Sequence, residues 1–124
     1  MEKINCKISD SIAETLFIPL YMRSIEAKRP DGIIKDELAC ELVEKINYDF
    51  SKYKSAHASE LGCAIRIRHF DKKLQDFINT HKDSVAVLIG CGLDTRFQRI
   101  KDKGNAVFYE LDLPEVINLR EELI

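Results

Sequence analysis

One stretch, Ser84 to Asp112, leaves this chain few folds to choose from. It reads SVAVLIGCGLDTRFQRIKDKGNAVFYELD. Val85 to Ile89 is a continuous apolar run, which predicts a parallel strand covered on both faces. Gly90-Cys91-Gly92 ends that strand, Thr95 to Lys103 suits a short helix, and Gly104-Asn105 stops it. Ala106 to Leu111 predicts a second strand closing on Asp112, and Pro114 fits the first turn of a helix running to Ile124. Strand, glycine turn, helix, strand and acid in that order form the front half of a nucleotide-binding unit.

The turn has a definite chemistry. Glycine reaches dihedrals closed to other residues, and with no side chain it lets a ligand lie against the main chain. An acid at the tip of the next strand can accept hydrogen bonds from ribose hydroxyls, and Asp112 stands 20 residues beyond Gly92, the spacing such a site needs. A dinucleotide fingerprint requires a third glycine where this chain has Thr95, and no GxxxxGK[ST] phosphate loop is present. GxG with an acidic strand end fits S-adenosylmethionine better than NAD, although two glycines also suit a bare strand-to-helix turn. Asp94 is placed to cap the helix at Thr95. Arg96 and Arg99 suit pairing with local acids or holding the cofactor loop, and Glu110 lies on the same side of its strand as Asp112, placed to pack the strand end or to assist that acid.

Upstream the text is helical. SIAETLFIPLYMRSIEAKR has apolar residues at helical spacing from Ser11, with Ser9 or Ser11 as a cap and Pro19 either kinking one helix or starting a second. Residues 1–10 are polar and expected to be loose, and Arg29-Pro30-Asp31-Gly32 is a turn by composition. Asp36 caps ELACELVEKI, whose Leu38, Leu42, Val43 and Ile46 share a face. NYDFSKYKS carries three aromatics, Tyr48, Phe50 and Tyr53, that need a surface to pack on. From about Ala56 to Asn79 a further helix is expected, with Ile67, Phe70, Leu74, Phe77 and Ile78 as its buried stripe and Gly62 as a break near its start.

Composition sets the class. The charged fraction of 32% and hydrophobic fraction of 45% are ordinary for a globular chain of 124 residues, a one-domain length. Nineteen basic against 21 acidic residues leave a net charge of -2, which argues against a nucleic-acid partner. No apolar run approaches the roughly 20 residues of a membrane span, and MEKINCKISD lacks a signal-peptide core, so no membrane partner and a cytoplasmic location are expected. Cys6, Cys40, Cys63 and Cys91 form no CxxC pair and the three histidines are scattered, so no metal site is expected.

GCGLDTRFQRI followed by YELDLPEVI resembles the leucine carboxyl methyltransferase family, including its bacterial and archaeal O-methyltransferase relatives. ETLFIPLYMRSIEAKRPDGIIKDELACELVEKINYDF and IRIRHFDKKLQDFI are similar to that family's helical lead-in, so the resemblance covers essentially the whole chain. It implies a Rossmann-like α/β fold: a helical N-terminal region over residues 1–82, then the first β-α-β-α of a class I methyltransferase sheet over 83–124, incomplete. It further implies S-adenosyl-L-methionine as cofactor and methyl transfer to a carboxyl or hydroxyl oxygen of a small molecule or protein. Arg66 is implied as the partner of the cofactor's methionine carboxylate and Gly90 as lying against its methionine and ribose. Asp112 would sit on the ribose hydroxyls, with Gly92, Leu93 and Asp94 shaping the turn.

Members of such a family are about twice this length, which a full doubly wound domain requires. The sequence thus reads as an N-terminal portion, expected to transfer methyl weakly or not at all by itself. In a full sheet the first strand is central, so Val85–Ile89 would have an unpaired apolar edge, and such edges invite self-association. Two other classes fit the same text: a non-enzymatic binding or assembly module, and a dinucleotide-binding oxidoreductase fragment.

Overall fold

The computed structural model describes residues 2–55 and 57–124, the side chain of His57 excepted; the expected loose start at Met1 and helix start at Ala56 lie outside them. The elements run α1 (Asp10–Lys28), α2 (Glu37–Lys45), a 3-10 turn (Phe50–Tyr53), α3 (His57–Thr80), β1 (Val85–Ile89), α4 (Arg96–Arg99), β2 (Val107–Leu111) and α5 (Pro114–Leu123). The chain is mixed α/β, with five helices and a two-stranded parallel sheet, consistent with part of a Rossmann-like fold.

α1 is one helix with Pro19 inside it. An interior proline costs about 3 kcal/mol. Here Leu16, Phe17, Leu20 and Tyr21 are buried on either side of Pro19, and their packing offsets that cost. Ser9 occupies the cap position without a side-chain cap bond. Asp36 does cap α2, its Oδ1 accepting the Ala39 amide at 3.0 Å. Across α1 lie Leu42 and Ile46, both 0% exposed. The aromatics of the connector pack where α1 offers a surface: Phe17 meets Tyr48 and Phe50, Tyr21 stacks on Phe50, and the Tyr48 and Tyr53 hydroxyls share a 2.8 Å hydrogen bond. The N-terminal segment is tied rather than loose. Ile4 pairs with Ile46, its amide donating to Lys45 O and its carbonyl accepting from Asn47, both at 2.8 Å.

The same core continues into the glycine-turn region, because Leu93, Val116, Leu119 and Leu123 belong to the cluster formed by α1 and α2. α3 runs through Gly62 without a break. Its buried residues include Ala64, Ile67 and Ile78, while Phe70 and Phe77 are 53% and 48% exposed, contrary to the expected stripe. Both lie beside β1, Phe70 lining a cleft with Val87 and Ile89 and Phe77 one with Val85.

The strands pair in register from Val85↔Val107 to Ile89↔Leu111. Side chains alternate between sheet faces, so one face carries Ala86, Leu88, Phe108 and Glu110. Ala86 and Leu88 are buried there, and Phe97 of α4 meets Phe108 edge-on. The other face carries Val85, Val87, Ile89, Val107, Tyr109 and Leu111, all exposed, with Ile89 at 84%. β1 is therefore covered on one face and not on both: Phe97 of α4 and Arg120 of α5 meet Phe108 and Glu110 on the first face. Its second edge has no strand partner among the described residues. α4 is also shorter than the predicted span, since Ile100 turns extended (ψ 116°) and is buried. No described helix is long and apolar enough to cross a membrane.

Candidate functional site

The site begins with two backbone conformations. Gly90 (φ 66°) and Gly92 (φ 50°) both lie in the left-handed region that side chains disfavour. At Gly90 an added Cβ would meet open space, so the dihedral alone calls for glycine. At Gly92 it would also come within 2.9 Å of Leu16 of α1. The lead-in helix therefore presses directly on the turn.

Asp112 fastens the far end. Its Oδ2 accepts the Gly92 amide at 2.8 Å and its Oδ1 the Leu113 amide at 2.7 Å, while Gly90 and Cys91 both donate to Leu111 O. A carboxylate has about four lone-pair sites, so two remain for a diol. Above the turn lies a cavity of about 400 Å³. All five residues singled out from sequence, Arg66, Gly90, Gly92, Asp94 and Asp112, line it, and Leu16, Pro19, Phe70 and Val116 supply apolar wall.

The three arginines of this lining differ in their commitments. Arg23 donates to Asp36 at 3.0 Å and to Leu93 O at 2.7 Å, and Arg96 donates to Asp71 at 2.8 Å. Arg66, exposed on α3, has no hydrogen bond or ion pair among the described residues. An uncommitted guanidinium facing a cavity is a ready partner for an anion.

Asp94 behaves differently from expectation. It does not cap α4, whose cap position is Thr95 without a side-chain cap bond. Its carboxylate lies 3.0 Å from Arg99 Nη1 and 3.4 Å from Arg96 Nη2. Burial alone would raise its pKa, but Arg99, Arg23 and Arg96 outweigh that and hold it below the ordinary 3.8. The local pairing expected at Arg96 and Arg99 is present at Asp94, and both arginines also reach acids distant in sequence. Arg99 donates to both oxygens of Asp71 on α3 and to Asp36 Oδ2, while the Thr95 hydroxyl donates to that same Asp36 oxygen at 2.5 Å.

Sequence reading passed over Arg23, Asp71 and Arg120 as parts of the site, and took Asp36 only as a cap. A signal was present for two of them. Arg23 follows Leu16 and Leu20 at helical spacing, and Arg120 follows Val116, so each places a charge within an apolar stripe. A buried arginine needs a dedicated acid or carbonyl.

The lowered Asp94 pKa gives a pH prediction. Its stabilising contribution is present above the unfolded carboxylate range and is lost as pH falls through that range toward the depressed folded value. Denaturant titrations across acid pH should therefore show a shallower loss of stability in Asp94→Asn than in the parent. Parallel curves for the two proteins would remove Asp94 from the acid response.

Comparisons with known proteins show the family. A sequence profile described as leucine carboxyl methyltransferase matches residues 17–124. The tetracenomycin polyketide synthesis O-methyltransferase TcmP of Streptomyces glaucescens is 32% identical over 112 residues, covering 90% of this chain and 42% of that protein. A putative S-adenosyl-L-methionine-dependent methyltransferase of Mycobacterium ulcerans is 29% identical, covering 94% of this chain and 43% of its own length. The S-adenosyl-L-methionine-dependent methyltransferase dpfgK of Gibberella zeae is 27% identical, with 90% and 40% covered. No solved structure matches. The chain spans about two fifths of the length of these curated relatives. With a profile match over most of its residues, the chain belongs to the leucine carboxyl methyltransferase family.

Proposed function

We propose that this chain holds the cofactor of an S-adenosylmethionine-dependent O-methyltransferase, acting on a carboxyl or hydroxyl oxygen of a small molecule or protein. In this reading residues 1–82 form the helical lead-in and 83–124 open a class I Rossmann-like sheet. The observation that carries it is the pairing, in one cavity, of an uncommitted Arg66 with an Asp112 that retains free lone pairs. Arg66 takes the methionine carboxylate, and Asp112 takes the ribose hydroxyls while tethering Gly92. Gly90 and Gly92 let the ligand lie on the main chain, and Asp94 supports the turn through its arginines. A bound sulfonium supplies an already activated methyl group, so the chain's contribution is orientation rather than acid–base chemistry. No acceptor wall is assigned to these residues, and methyl transfer by this chain alone is weak or nil. The four free cysteines accord with a cytoplasmic setting.

Titration calorimetry with S-adenosylhomocysteine and NAD tests the reading. The homocysteine product should bind and NAD should not. Arg66→Ala and Asp112→Ala should each weaken binding about 10- to 100-fold, since a charge-assisted hydrogen bond contributes roughly 1.5–3 kcal/mol. Preference for NAD would favour an oxidoreductase fragment, and binding of neither would favour an assembly module.

The open edge of Val85–Ile89 supports self-association of the chain through that strand. Sedimentation equilibrium should show mass rising with concentration, and Val87→Lys, which sets a charge among the exposed apolar side chains, should reduce it. A parent chain that stays monomeric at high concentration contradicts this.

A further inference from the structure

We propose that Arg120, which lies outside the cavity lining, is the positioning residue that sets the peptide planes of the glycine turn. Arg120 is 4% exposed, and each of its three guanidinium nitrogens donates. Nη1 donates to Gly92 O at 3.0 Å and to Asp94 O at 2.7 Å. Nε and Nη2 donate to the two oxygens of Glu110, at 2.9 and 2.6 Å. From the other side, Arg23 Nη2 donates to Leu93 O at 2.7 Å. Three consecutive carbonyls are thus each held by an arginine, one arginine from α1 and one from α5. A peptide plane whose oxygen is fixed has its amide fixed too. Arg120 therefore sets the amides of Leu93 and Thr95, and Arg23 sets that of Asp94 between them.

Glu110 orients the clamp. It stands on the covered sheet face opposite Leu88, and its bidentate grip leaves Nη1 aimed at the turn. A lysine keeps the charge but has three donors and no planar fork, so it cannot hold both oxygens of Glu110 and two carbonyls at once. The consequence for ligand affinity rests on the cofactor reading above, whereas the control of the turn stands on the hydrogen bonds alone.

Amide hydrogen exchange and calorimetry on the parent, Arg120→Lys and Glu110→Gln separate the two. Arg120→Lys should speed exchange at the amides of Leu93 and Thr95 by more than about tenfold while core amides of α1 and α2 change by less than about twofold. Affinity for S-adenosylhomocysteine should fall about tenfold in Arg120→Lys and less in Glu110→Gln, which keeps the guanidinium. Exchange that rises uniformly over the chain, with affinity of the folded fraction unchanged, would assign Arg120 a merely structural role. Unchanged exchange at Leu93 and Thr95 in both variants overturns the proposal outright. If the parent binds no S-adenosylhomocysteine, the cofactor reading fails and exchange alone still decides the role of Arg120.

Discussion

The buried carboxylate of Asp36 is the interaction on which the rest of the structure depends. One oxygen caps α2 through Ala39, and the other gathers Arg23 of α1, Thr95 at the end of the turn and Arg99 of α4. Asp36 and Arg23 are each about 3% exposed, and Thr95 is 0% exposed. Removing such groups from water is costly, and a buried pair is worth keeping only when its hydrogen-bonding capacity is met. Here it is met by a network that links lead-in helix, cap and turn. Networks of this kind give a structure uniqueness more than net stability. The helical region and the nucleotide-type turn are therefore one object, joined at Asp36.

Much of this was legible in the residues. The glycine turn, both strands and α5 follow from local pattern, and Asp36 reads correctly as a cap because capping depends on nearby chain. What local pattern could not supply was the far partner of each charge. Asp71 and Arg99 are 28 residues apart, and Arg23 and Leu93 are 70 apart. Asp94 differs. Its neighbour Thr95 invited a capping role, but Arg96 and Arg99, close by in the chain, claimed the carboxylate instead. Phe70 and Phe77 were misread for a related reason, since periodicity states which side of a helix is apolar but not whether anything lies against it.

The sheet carries the remaining tension. One face is met by Phe97 of α4 and Arg120 of α5, while the other presents six large apolar side chains to solvent. Apolar patches of that kind mark a surface meant to be covered. The site shows a matching asymmetry. Asp112, the glycines and Arg66 converge on the cavity, yet a cleft continues from it past Gly90, Cys91 and Phe70 to the exposed side chains of Val87 and Ile89. In the proposed function the cofactor's recognition elements reside in these residues, and the acceptor's do not.

The account's central claim is that the cavity over Gly90 and Gly92 holds S-adenosylmethionine through Arg66 and Asp112. A nitrogen-15 NMR titration of the chain with S-adenosylhomocysteine tests it most directly, because weak binding is still visible. The account predicts saturable shifts confined to the amides of residues 90–94 and 112–113 and the Arg66 side chain, with α2 unmoved. Shifts centred elsewhere, or none at millimolar ligand, would contradict it.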